Sequence, residues 1–304
     1  MKSKNLLLLL ISFIIIHLNS TAQNTSKQDE QSGLYGIINA DGDYIVKPKY
    51  KEVDFNFGYK TGISYVIDKN DKYGFIDQEG KEVVPCKYDN ASGFENGLSV
   101  VKVKTGEYDY KFGLIDTTGK EVIPLKYGRM EHYPLDHVLV VGEENASKVG
   151  VIDEAGKEII APQYAFWSKR ISNGLWPVGR NDTCGVVNLK NETIVPFEYY
   201  MIESYSDKLN VAVAKKDKAG KWGYIDRTGK AVIPFMYDDA WGGDRLLTVK
   251  KGGKWGVIDL NNKVIIPFEY YAIDYVLEKT AWVIKNDGEE HYELDLKTLQ
   301  KVVK

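Results

Sequence analysis

The chain has 304 residues and a net charge of -3, its 40 basic and 43 acidic side chains mixed throughout. That balance, with no basic stripe, excludes the electrostatic footprint of a nucleic-acid binder. Hydrophobic and aromatic contents of 43% and 12% exclude intrinsic disorder as the default class and allow one large repeat array or two ordinary domains.

The first residues form a separate segment. Lys2 and Lys4 precede an apolar core from Leu6 to Ile16, and Ser20-Thr21-Ala22 offers small residues for a signal peptidase. Residues 1–22 are therefore expected to be a signal peptide cleaved before Gln23. The apolar run falls short of the roughly 20 residues a membrane-spanning helix needs. The mature protein is expected to be exported, periplasmic or secreted, with no membrane span. Residues 23–32 are polar and read as a mobile linker, and the domain proper runs from 33 to 304.

From there one sentence is written seven times. A glycine recurs at Gly36, Gly74, Gly113, Gly150, Gly185, Gly223 and Gly256, preceded by Tyr35, Tyr73, Phe112, Val149, Cys184, Trp222 and Trp255. Glycine within a strand marks a bulge or the close approach of another backbone. Three residues after each glycine stands Asn39, Asp77, Asp116, Asp153, Asn188, Asp226 or Asp259. A further three bring Gly42, Gly80, Gly119, Gly156, Asn191, Gly229 or Asn262. An Asx side chain bonds the backbone two residues on, and Gly or Asn enters the left-handed region most cheaply. The pattern predicts a three-residue hairpin loop closed by a left-handed residue. The same chemistry accounts for the Asn replacements, which a row of catalytic carboxylates or calcium ligands would not.

A β-rich triplet such as Glu121-Val122-Ile123 follows each turn, then a proline at Pro48, Pro85, Pro124, Pro162, Pro196, Pro234 or Pro267. Because proline donates nothing to a ladder, the strand must finish there or lie at an edge. A tyrosine comes next in every unit: Tyr50, Tyr88, Tyr127, Tyr164, Tyr199, Tyr237 and Tyr270. Its ring is expected under the hairpin, with the hydroxyl capping a polar group. The variable half of each unit ends in another strand, such as Leu98–Val103, which gives about three strands per repeat. Beyond Gly256 the segments Ala281–Ile284, Tyr292–Asp295 and Leu299–Val303 read as a degenerate eighth hairpin, whose polar outer face suits an end cap.

The stretches Lys221-Trp222-Gly223-Tyr224-Ile225-Asp226 and Lys254-Trp255-Gly256-Val257-Ile258-Asp259, each followed by Ile-Pro and Tyr, resemble the bacterial WG (KWG) repeat. The likeness covers the whole expected mature chain; Val149 and Cys184 depart from it by lacking the aromatic. The resemblance implies a tandem β-repeat in bacterial, often envelope, proteins, without general enzymatic activity. The expected fold is all-β: a tandem β-hairpin array of seven WG-type units plus a degenerate C-terminal cap. An open curved array is favoured over a closed seven-bladed propeller, since about 37 residues is lean for a four-stranded blade.

No catalytic motif, metal spacing or cofactor fingerprint stands out. His132 and His137 flank Pro134 as a poor metal pair, and Cys86 and Cys184 occupy packing slots and read as buried free thiols. Three functional readings compete. In one, a non-enzymatic binding or scaffolding module recognises an envelope protein or a cell-surface glycan. In a second, export and abundant aromatics mark a glycan-directed enzyme; a passive structural spacer is the third possibility. The stretch Gly128–Cys184 departs most from the repeat and holds Arg129, Arg170 and Arg180, three of the five arginines. Trp167, Arg170 and Trp176 are the candidate binding residues, because Trp and Arg combine contact area with polar reach. The competing reading is that these side chains fill a packing irregularity left by Val149 and Cys184.

Overall fold

The structure, a computed structural model, describes residues 24–54, 62–143, 147–165, 170–285 and 290–302. The expected signal peptide and Trp167 lie outside the described residues. Every regular element described is a strand, and among the described residues no helix is long and apolar enough to cross a membrane.

Among the described residues six antiparallel sheets follow one another in chain order, and none closes into a barrel. The first holds β1 (Thr25–Gln28), β2 (Tyr35–Ile38), β3 (Tyr44–Val53), β4 (Ser64–Asp68), β5 (Tyr73–Ile76) and β6 (Glu82–Tyr88). The second is β7 (Asn90–Ala91), β8 (Leu98–Lys104), β9 (Tyr110–Asp116) and β10 (Glu121–Tyr127). The third joins β11 (Arg129–Tyr133), β12 (Val138–Gly142), β13 (Lys148–Asp153) and β14 (Glu158–Ala165) to β15 (Leu175–Arg180), β16 (Thr183–Asn188) and β17 (Thr193–Tyr199). The fourth is β18 (Met201–Ile202), β19 (Val211–Lys215), β20 (Trp222–Asp226) and β21 (Ala231–Tyr237). The fifth is β22 (Asp239–Trp241), β23 (Leu247–Lys251), β24 (Lys254–Ile258) and β25 (Val264–Tyr270). The last has three strands, β26 (Ala272–Val276), β27 (Thr280–Lys285) and β28 (Glu290–Asp295). Seven repeats in series fit the expected open tandem array. The chain divides into two compact units, one up to Cys86 and one from Lys87 onward.

The repeat residues build the hairpin as their chemistry dictates. In the sixth unit the Asp226 Oδ1 accepts the amides of Thr228 at 2.8 Å and Lys230 at 3.0 Å. The Gly229 amide donates to the Asp226 carbonyl at 3.0 Å, and Gly229 sits at φ 87°. Asn191 and Asn262 take the same left-handed place at 64° and 62°. The glycine after the aromatic answers a second demand. A Cβ on Gly223 would lie 2.6 Å from the Ile233 carbonyl oxygen, and one on Gly150 would lie 2.3 Å from that of Ile160. The ladder shifts register there: Trp222 pairs Tyr237 while Tyr224 pairs Ile233. The extra residues, Pro234 among them, bulge toward the glycine, as irregular pairing requires.

Proline therefore does not stop the strand. β10, β17, β21 and β25 all run through it to the tyrosine. Three of them, β10, β21 and β25, are outer strands of four, where a missing amide costs no ladder bond. Two other expectations change. Repeats contribute four strands where the sequence suggested about three, because a short strand such as β7 or β18 follows the tyrosine. The segment read as a mobile linker contains β1, whose Thr25–Gln28 pairs with Ile38–Tyr35 of β2. It does so through backbone bonds, which polar side chains do not prevent.

Within the second unit successive sheets stack face to face. In β19, Ala212 and Ala214 join the cluster of Cys184, Val195 and Tyr199, while Val211 and Val213 join that of Leu247, Val249 and Ile258. Side chains alternate across a strand, so one sheet buries both faces against its neighbours. The tyrosines tie the stack together: Tyr199 donates to the Gly229 carbonyl at 3.2 Å and Tyr237 to Asn262 Oδ1 at 2.5 Å, each one repeat onward. Cys184 is buried as expected, Cys86 only partly, and both are free thiols.

Candidate functional site

The short first strands of the sheets, such as β7 and β11, fall in the half of the unit that the repeat leaves variable. Between β7 and β11 opens a cleft of about 460 Å³, lined by Asn90, Ser92, Glu95, Phe112, Met130 and His132 among others. Asn90, Ser92 and Glu95 are exposed on it. Register explains the placement: Asn90 pairs Lys102, which pairs Phe112, so the three share one face. That face packs toward Met130, Leu139 and Ile152 of the third sheet. Lys102 Nζ lies 5.7 Å from the Phe112 ring centre, a cation over an electron-rich face. A second depression, of about 400 Å³, is lined by Tyr127, Gly156, Ile160 and Pro162. These are repeat positions, so it belongs to the frame.

His132 is held firmly. Its side chain is 7% exposed and its Nε2 lies 2.8 Å from Glu154 Oε1, while His137 Nδ1 lies 3.1 Å from Glu154 Oε2. Burial alone would raise the Glu154 carboxyl; the hydrogen bonds to the two histidines outweigh it and hold it below its ordinary value. This cluster is not legible from sequence, because Glu154 fills an unremarkable loop position beside the turn Asp153. Among the described residues no group of three or more His, Cys, Asp or Glu side chains is arranged to hold a metal ion. Burial pushes the Cys86 thiol up to about 11 and that of Cys184 up to about 12, which leaves both protonated at neutral pH.

Of the sequence-derived binding residues, the described pair Arg170 and Trp176 do not share one surface. Trp176 is fully buried, packed edge-on to Tyr164 at 6.0 Å in the cluster that holds Val149. It is a core side chain, and period-2 alternation along β15 puts it there with Val178. Arg170 pairs with Asp207, to which Ser172 Oγ also donates at 2.7 Å. Arg227 reaches back to the Ser172 carbonyl at 3.2 Å. This joins a row of loop contacts one repeat apart: Asn96 to the Pro134 carbonyl, the Gly174 amide to Asp136, Lys208 to Asp244 and Arg245 to Glu278. Arg170 is one rung of that row. Where the aromatic is missing, its cross-strand partner shrinks as well. Val149 faces Gly142 and Cys184 faces Gly179, whereas Phe112, Trp222 and Trp255 face Lys102, Lys215 and Lys250.

Comparison with known proteins agrees with this construction. The family model described as WG containing repeat matches residues 35–73, 73–108, 112–134, 150–182, 185–220, 222–255 and 255–288. No curated protein matches the chain. A solved structure titled as the eukaryotic initiation factor is similar with a TM-score of 0.55 at 11% identity, over 93% of this chain and 84% of that one. Apo AztD from Citrobacter koseri gives 0.40 at 12% identity, over 92% and 93%. Hsv2 from Kluyvelomyces marxianus gives 0.42 at 13% identity, over 81% and 92%. The first shows likeness of fold alone, and the other two are too distant to carry an argument.

Proposed function

The chain belongs to the WG containing repeat family, and from that premise we propose that it is an exported, non-enzymatic binding or scaffolding protein of the cell envelope. One observation carries the reading: the recurring residues are occupied with folding, while the cleft between β7 and β11 is lined largely by residues outside the repeat sentence. The recurring carboxylates illustrate the first half. Asp116 Oδ1 takes the amides of Thr118 and Lys120 at 2.9 and 3.1 Å, and Asp259 Oδ1 those of Asn261 and Lys263 at 2.9 Å each. A carboxylate engaged in that way organises a turn. Variable residues carried on a rigid repeated frame are where recognition can reside. The positive, apolar and small-residue sequence of residues 1–22 supports export.

The test uses immobilised protein, offered solubilised envelope glycan and envelope proteins, alongside an assay for new reducing ends. Selective retention of an envelope component without turnover is the expected result. Robust turnover, or no retention of any component, overturns the reading.

A further inference from the structure

The fifth sheet shows what fits the cleft of the second. By register Asn90, Ala91 and Ser92 of the second sheet correspond to Asp239, Ala240 and Trp241 of the fifth: Asn90 and Asp239 pair Lys102 and Lys250, and these pair Phe112 and Trp255. The lysine lies over the ring in both, at 5.7 Å from Phe112 and 5.6 Å from Trp255. What covers the ring differs at one position. In the fifth sheet the Trp241 indole lies against Trp255 with ring centres 4.7 Å apart. In the second, Ser92 stands at that place, and Phe112 lines an open cleft of about 460 Å³. That volume is within the range of small-molecule sites, about 300–1,000 Å³.

We propose that the cleft between β7 and β11 binds a neutral sugar ring, laid on Phe112 in the place that Trp241 takes on Trp255. This rests on the reading of the chain as a binding protein and names the ligand class. The chemistry of the lining chooses the sugar over a purely aromatic ring. Asn90, Ser92, Glu95 and His132 line the same cleft as Phe112, with Asn90, Ser92 and Glu95 exposed on it, and an apolar ligand would strip exposed polar groups of water without replacing it. A pyranose offers C–H groups to the electron-rich face of Phe112 and hydroxyls to the polar rim. The Glu95 and Glu131 carboxylates in the lining disfavour sulfated or uronic sugars.

The experiment titrates the full mature chain with a neutral glucose trisaccharide, an N-acetylglucosamine trisaccharide, a sulfated disaccharide and indole, reading binding by calorimetry. Two variants accompany it: Ser92→Trp, which plugs the cleft as Trp241 does, and Phe112→Leu, which keeps apolar bulk without the ring. At least one neutral trisaccharide is expected to bind, at least tenfold weaker to Phe112→Leu and undetectably to Ser92→Trp. Melting temperatures identify a misfolded Ser92→Trp, in which case Phe112→Leu decides. Binding of indole or the sulfated sugar alone, or neutral-sugar binding unchanged in the folded variants, overturns the proposal. Envelope retention that survives both substitutions leaves the binding reading standing and removes only the cleft. Loss of all retention in the unsubstituted protein removes both.

Discussion

The hydroxyl of Tyr164 donates to Asn191 Oδ1 at 2.7 Å, from the end of one repeat to the left-handed turn residue of the next. Arg180 Nη2 in turn donates to the same hydroxyl at 3.0 Å. Where the turn residue is glycine, as at Gly229, the tyrosine one repeat earlier bonds its carbonyl. Asn191→Gly is therefore expected to cost under about 1 kcal/mol, because the hydroxyl can turn to the backbone. Asn191→Ala loses both the acceptor and an easy left-handed backbone, about 1–3 kcal/mol. Urea midpoints of the two variants check this ranking; equal losses would contradict it.

The glycine after the aromatic is expected to be intolerant for a different reason. In Gly223→Ala the new Cβ meets the Ile233 carbonyl, and relieving that contact should cost about 1–3 kcal/mol. Gly242→Ala is the control, since nothing lies within 4 Å of its Cβ position, and its change should stay within about 0.5 kcal/mol. Equal shifts in chemical denaturation would show that the close approach does not limit the site.

Acid should reveal the Glu154 cluster. Its folded-state carboxyl lies below the ordinary value near 4.5, so its contribution is fully present above that pH. It is lost as pH falls through the depressed folded value. The stability gap between the unsubstituted protein and Glu154→Gln is expected to be present above about pH 4.5 and to close as pH falls through the depressed value. A gap that stayed fully open in strong acid would contradict the assignment.

Arg170 and Asp207 have side chains 49% and 39% exposed, and exposed pairs of this kind contribute about 0–1 kcal/mol. Arg170→Ala should lower stability within that range and leave envelope retention unchanged. Retention lost at unchanged stability would return Arg170 to the binding surface.

Turn, bulge and tyrosine were legible because each repeats seven times with a residue type that only one backbone geometry explains. What the tyrosine hydroxyl reaches was not legible, since its partner lies one repeat away and alternates between a side chain and a carbonyl. β7 escaped notice because two residues, Asn90 and Ala91, carry no periodicity. For Trp176 the sequence leaves binding and packing both open, because a tryptophan outside the repeat slot resembles a variation; it packs in the cluster around Val149. The cleft depends on Ser92 standing where Trp241 stands elsewhere, an equivalence that only the strand register exposes.

Hydrogen exchange on the full mature chain, with and without a retained envelope glycan, tests the proposed division between a frame that folds and variable first strands that bind. Protection is expected to concentrate at residues 90–95, 112 and 130–133, with the turns around Asp116, Asp226 and Asp259 unchanged. Protection confined to those turns, or none at the cleft at saturating glycan, would contradict it.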